Sequence, residues 1–131
     1  LRGLARKYQG LSLAEAGRLL HSTFHEDRLL ALLILIRQYY RGDQVVMDKI
    51  HRLYLDHTRL VNNWDLVDLS APHLLGHYLR DHPDDTLTRL AASGDWWERR
   101  MAIIATFYFI NRMTLTRPSE LPISCWATRK I

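Results

Sequence analysis

Apolar residues recur at helical spacing along almost all of the first 111 positions, and they gather into long runs set at a regular interval. That pattern constrains the fold more than any other feature. Spacings of three and four residues lay one apolar stripe along an α-helix, whereas a half-buried strand needs strict alternation. No strand signal competes with the helical one. Glycine is scarce, and proline is confined to Pro72, Pro83, Pro118 and Pro122, so few positions interrupt the helices.

Local signals mark the boundaries. Leu1 to Tyr8 reads as the remainder of a first helix. Ser12-Leu13-Ala14-Glu15 is a capping box, and it predicts a short helix to about His21. A nearly all-apolar helix follows from about Glu26 to Tyr40, closed by Arg41-Gly42. Asp43 caps the next, to about His57. Asn62 or Asn63 caps another, which carries Trp64, Asp65 and Asp68; Pro72 predicts a kink or restart before it resumes to about Arg80. Pro83 or Asp84 opens a helix to about Ala92, and Asp95 caps a last one to about Asn111.

The long helices repeat. Arg28, Trp64 and Arg100 each fall near the start of one, 36 residues apart, and Glu26-Asp27-Arg28-Leu29-Leu30 looks like Glu98-Arg99-Arg100-Met101-Ala102. A period in the upper thirties with two helices per unit predicts an all-α, HEAT-like helical-repeat solenoid (an α-α superhelix), of which this chain carries part. The alternative is an ordinary helical bundle with accidental spacing. In a solenoid, residues 28, 64 and 100 would form a row on one concave wall.

Composition narrows the function classes. With 47% hydrophobic and 24% charged residues the chain is globular rather than disordered. The net charge is +4, and lysine occurs only at Lys7, Lys49 and Lys130, so arginine carries most of the positive charge. That balance suits a polyanionic partner. The single cysteine, Cys125, and the lack of any Cys/His zinc pattern predict a reducing cytoplasm. The longest apolar run, Leu29 to Ile36, falls short of the roughly 20 residues that span a bilayer. No signal peptide opens the chain; it starts inside a helix without a methionine, as a cut N-terminus would. The expected organisation is an incomplete helical domain over 1–111 and an irregular tail over 112–131, where Pro118 and Pro122 break all periodicity.

Two clusters could carry chemistry. In Asn62-Asn63-Trp64-Asp65-Leu66-Val67-Asp68, Trp64 and Asp68 stand four apart and share a helix face. Asp65 suits a plain role in the first turn, where a carboxylate favours the helix dipole. Asp68 lies a turn further in, between Val67 and Leu69, and a carboxylate in such company needs a partner. In Asp95-Trp96-Trp97-Glu98-Arg99-Arg100, adjacent indoles point about 100° apart, so one can face the core and the other a groove. Trp97 and Arg100 share a face. Taken alone, that cluster reads by default as core aromatics and a solvated arginine. His73, His77 and Asp81 have a spacing that could hold a metal, but no further ligand stands near, and a core or solvated face is the default.

Asn-Asn-Trp-Asp-Leu-Val-Asp-Leu-Ser-Ala-Pro followed by Trp-Trp-Glu-Arg-Arg-Met-Ala-Ile-Ile-Ala-Thr-Phe resembles the AlkD-like DNA alkylation repair glycosylases, over about Leu1 to Asn111. The resemblance implies a HEAT-like fold with a basic concave groove for duplex DNA. It also implies hydrolysis of the glycosidic bond of N3- or N7-alkylated purines by a monomeric, cytoplasmic, nucleoid-associated enzyme. Carried across, the catalytic aspartate falls on Asp68, the groove tryptophan on Trp64 and the groove arginine on Arg100. Trp97, Arg99 and Arg28 follow as further DNA contacts; for Arg28 a structural tie is an equal alternative.

The implied chemistry suits these residue types. An alkylated purine already carries positive charge and leaves without a general acid, so the protein must stabilise an electron-poor sugar and place a water. Asp68 would do both, the Trp64 face would hold a cation, and Arg100 would grip a phosphate and keep Asp68 ionised. No metal or cofactor is required, and no lysine stands beside the motif for Schiff-base chemistry. The competing expectation is a non-catalytic HEAT-like scaffold that binds DNA or protein.

Overall fold

The structure, a computed structural model, describes residues 2–113. Every element among them is helical. In chain order these are α1 (Arg2–Lys7), α2 (Leu13–Leu20), α3 (His25–Arg41), α4 (Gln44–Asp56), a 3₁₀ turn (Thr58–Leu60), α5 (Trp64–Ala71), a π-helical segment (Pro72–His77), α6 (Tyr78–Asp81), α7 (Thr86–Ala91) and α8 (Trp96–Met113). The last runs two residues past the expected boundary at Asn111. The remainder of the tail, with Cys125 and Trp126, lies outside the described residues.

The helices pair as α2 with α3, α4 with the rod formed by α5, the π segment and α6, and α7 with α8. The second members, α3, the α5 rod and α8, also pack side by side. This is the all-α helical repeat that the spacing predicted. The chemistry of each start is legible. Ser12 Oγ accepts from the Glu15 amide, Asp43 from Val46, Asn63 from Asp65 and Asp95 from Trp97. Each satisfies an amide that a helix start leaves without a partner.

Helix α3 is apolar on several sides because it is covered on several sides. It touches α1, α2, α4 and α5, and Ala31, Leu32, Ile34 and Leu35 are fully buried. Ala31, Leu32 and Leu35 join Leu20, Tyr39, Ile50, Tyr54, Leu66, Leu74, Leu75 and Met101 in one core, while Ile34 packs with Ala5 and Leu33 in a second. Each large aliphatic side chain buried there contributes about 1.5–3 kcal/mol relative to exposure.

Two glycines permit close approach. Gly42 ends α3 with extended backbone, and a Cβ there would lie 2.5 Å from Val46 Cγ1. Gly76, in the π segment, faces α8, where a Cβ would lie 2.9 Å from Tyr108 Cβ. At Pro72, expected to kink or restart its helix, the α-helix gives way to a π-helical segment. The helix continues, with the missing amide absorbed by wider π turns over Pro72–His77. His51 donates its Nδ1 proton to the Leu74 carbonyl at 2.7 Å and so braces this segment from α4.

The loops before α3 and α8 close in the same way, which the 36-residue interval did not anticipate. Ser22 Oγ donates to Asp27 and accepts the Phe24 amide, while Arg28 Nη1 donates to the Ser22 carbonyl at 2.8 Å. Ser93 Oγ donates to Glu98 and accepts the Asp95 amide, while Arg99 Nη1 donates to the Ser93 carbonyl at 2.7 Å. The counterpart of Arg28 is therefore Arg99, not Arg100. Of the expected row of residues 28, 64 and 100, the last two meet, with the Arg100 guanidinium carbon 4.0 Å from the centroid of a Trp64 ring, while Arg28 is tied to its own loop.

Candidate functional site

The capped start of α5 sets the site. Asn63, with extended backbone, accepts the Asp65 amide at 3.0 Å and makes Trp64 the first helical residue. Leu66, Val67, Ser70 and Ala71 then turn into the core, which leaves Trp64, Asp65 and Asp68 on the opposite, exposed face. Alternation of a buried and an open face along eight residues is what puts the indole and the carboxylate together.

Arg100 joins them from α8. Its Nε donates to Asp68 Oδ1 at 3.3 Å and its Nη2 to Oδ2 at 3.2 Å, a two-pronged grip. The guanidinium carbon lies 4.0 Å from the centroid of a Trp64 ring. One cation therefore bridges the carboxylate and the indole face. The partner that Asp68 needed is Arg100. Both bonds are longer than the 2.7–2.9 Å or so usual for charge-assisted pairs, so the grip is loose.

Three indoles meet beside this bridge. Trp64 lies edge-to-face with Trp96 at 5.2 Å and with Trp97 at 5.9 Å, and the last two are 4.7 Å apart. Trp97, expected to line the groove, is half-buried against the core and in edge-to-face contact with Trp64. Trp96 is the exposed one, at 47%, close to the 48% of Trp64. The two open indoles occupy the first positions of α5 and α8. Spacing alone does not choose between adjacent tryptophans; the exact start set by the Asp95 cap does.

Asp68 also faces an open cleft of about 540 Å³, lined by Arg2, Leu29, Leu33, Asp65 and Leu69 as well. Three leucines from α3 and α5 give it an apolar floor, with two carboxylates on the α5 side and a guanidinium on the α1 side. His25, which the sequence reading passed over, reaches the rim, where its Nε2 lies 3.8 Å from Asp65 Oδ2. A separate cleft of about 440 Å³ between α1, α2 and α3 is lined mostly by apolar groups such as Tyr8, Leu11, Leu30 and Ile34. Glu15, Arg18 and Ser22 supply its polar groups.

The remaining candidates lie elsewhere. Arg28 and Arg99 each give a terminal nitrogen to a loop carbonyl. Tyr40 is hydrogen-bonded to His73 Nδ1 and Tyr39 to His77 Nδ1, while Asp81 accepts from Arg80. Among the described residues no three His, Cys, Asp or Glu side chains gather as metal ligands would, and no helix is long and apolar enough to cross a membrane.

Comparison with known proteins gives one match. The family model described as DNA alkylation repair enzyme matches residues 1–125. No curated protein and no solved structure matches the chain.

Proposed function

The chain belongs to the DNA alkylation repair enzyme family, and from that premise we propose that it is a glycosylase releasing N3- or N7-alkylated purines from duplex DNA. The observation that carries the proposal is the convergence of Asp68, Trp64 and Arg100, with Asp68 also lining an open cleft. These groups suit a reaction whose leaving group is already cationic. As the bond from the sugar C1′ to the purine breaks, its electron pair moves to the base and neutralises it. The sugar is left electron-poor, and a water adds at C1′ and loses a proton.

In this mechanism Asp68 supplies the carboxylate that stabilises the developing sugar cation and orients the water. The Trp64 face offers a further cation contact, worth about 0.5–2 kcal/mol according to desolvation. Arg100 reaches a phosphate beside the lesion, Trp96 extends the aromatic surface, and Trp97 supports Trp64 edge-to-face. Arg28 and Arg99 hold the loops that launch α3 and α8. The setting is the bacterial-type reducing cytoplasm at the nucleoid, with the chain acting as a monomer and without a cofactor.

The test is release of 7-methylguanine from methylated duplex by the full chain and by Asp68→Asn. Loss of an electrostatic group at a reacting centre lowers turnover by about a hundredfold or more, with duplex binding retained. Release that survives the substitution undiminished removes Asp68 from the mechanism. Steep, salt-dependent duplex binding with no release by either protein favours the non-catalytic scaffold instead.

A further inference from the structure

In the free protein the cation site is already full. A cationic ligand would want the face of Trp64 and the carboxylate of Asp68, and the Arg100 guanidinium takes both. We propose that Arg100 is a resident cation that the substrate must displace, so that the site accepts an organic cation only when that cation is carried on a phosphodiester. The inference rests on the glycosylase reading for the identity of the incoming ligand, but its geometry stands apart from any catalytic step.

Three observations support exchange rather than a permanent bridge. The paired hydrogen bonds are long, at 3.2 and 3.3 Å, and Asp68 is 46% exposed at its side chain, so water and ligands compete for the carboxylate. Arg100 sits early in α8 on a long, unbranched side chain, and its planar fork can pass from a carboxylate to a phosphate without changing its pattern of donors. Finally, Trp64 is half-open, so its indole can receive a new cation once the guanidinium leaves.

The consequence is a selectivity filter. A small cation in solution must expel Arg100 into water with no compensation. A cation in DNA brings an anion that receives Arg100 as it leaves. A lone methylated base or a cationic metabolite is therefore a poor ligand, whereas the same charge in a duplex is a good one.

The probes are a pyrrolidinium analogue of deoxyribose, free or built into a duplex, and the same duplex carrying a neutral tetrahydrofuran instead. Binding is read by calorimetry and indole fluorescence on the full chain. The wild type is expected to prefer the duplex pyrrolidinium over tetrahydrofuran and to bind the free pyrrolidinium weakly. Arg100→Gln is expected to bind the free pyrrolidinium about tenfold more tightly, and Trp64→Ala in that background to abolish the gain. Unchanged or weaker binding by Arg100→Gln overturns the proposal.

A second readout needs no variant. In the free wild type the Trp64 ring, 4.0 Å from the guanidinium carbon, is expected to shield the Arg100 Nε–H resonance, which should move toward an unshielded position on saturation with the pyrrolidinium duplex. A resonance that stays shielded in the saturated complex shows that Arg100 never leaves, and the proposal fails. The two readings fail separately. Base release that survives Asp68→Asn rejects the glycosylase mechanism, while displacement is judged by these binding and resonance measurements alone.

Discussion

Removing the smaller of two hydroxyl groups should damage this protein more than removing the larger. Tyr54 on α4 and Ser70 on α5 are both fully buried, with 2.8 Å between their oxygens. Ser70 Oγ also donates to the Leu66 carbonyl. A serine has one proton, so Ser70 must accept from Tyr54, and burial keeps the phenol protonated by raising its pKa. In Tyr54→Phe, Ser70 retains its bond to Leu66 and the ring stays in place; the loss is one neutral hydrogen bond, about 1 kcal/mol. In Ser70→Ala, the Tyr54 hydroxyl is stranded as a donor in a dry core, which costs about 2–3 kcal/mol. The double variant should be no worse than Ser70→Ala alone, because removing both partners leaves no stranded donor. Urea-unfolding midpoints at equal m-values measure all three. A Tyr54→Phe loss equal to or larger than that of Ser70→Ala would falsify this direction of donation.

Two further outcomes follow from the same packing. Gly76→Ala places a Cβ 2.9 Å from Tyr108 Cβ and 3.0 Å from its ring carbons, so α8 must shift from the π segment; a loss of about 1–3 kcal/mol is expected, and a melting temperature equal to wild type would show that the helices separate freely. His51 is held below its ordinary pKa, chiefly by burial, with the Leu74 hydrogen bond, Asp84 and Asp48 opposing and His82 assisting. The unfolded chain therefore binds the proton first, so stability is full above about pH 6.5 and falls as pH drops below it. Denaturant midpoints from pH 7.5 to 5.5 should show that slope, and His51→Gln should flatten it; an unaltered slope assigns the effect to other groups.

Much of this arrangement was legible before any coordinates, because its causes are local. Caps at Ser12, Asp43, Asn63 and Asp95 follow from single side chains beside single amides, and the shared face of Trp64 and Asp68 follows from helical pitch. Arg100 was legible from the 36-residue repeat as a neighbour of Trp64, but its pairing with Asp68 came by resemblance, since nothing local brings residue 100 to residue 68. Other features depend on neighbours distant in sequence. Trp64, Trp96 and Trp97 meet only because α8 packs on α5. The brace on the π turns at Pro72 comes from His51, which reaches across from α4 to the Leu74 carbonyl. The 36-residue interval placed Arg28 opposite Arg100, whereas the loop ties place it opposite Arg99. Periodicity counts positions, but a hydrogen bond to a serine carbonyl identifies them.

Those matched ties have a bearing on how such a molecule could arise and change. A serine, an acid and an arginine knot together at both outer units, so each carries the means to launch its own long helix and could be copied as a module. In the central unit, among the described residues, no such knot forms: Thr58, near the corresponding place, lends its hydroxyl to Glu98 of the next unit. The segment released from that housekeeping is the one that begins with Trp64 and holds Asp68. Novelty in a tandem array is easiest to install in the copy whose upkeep the neighbours have taken over.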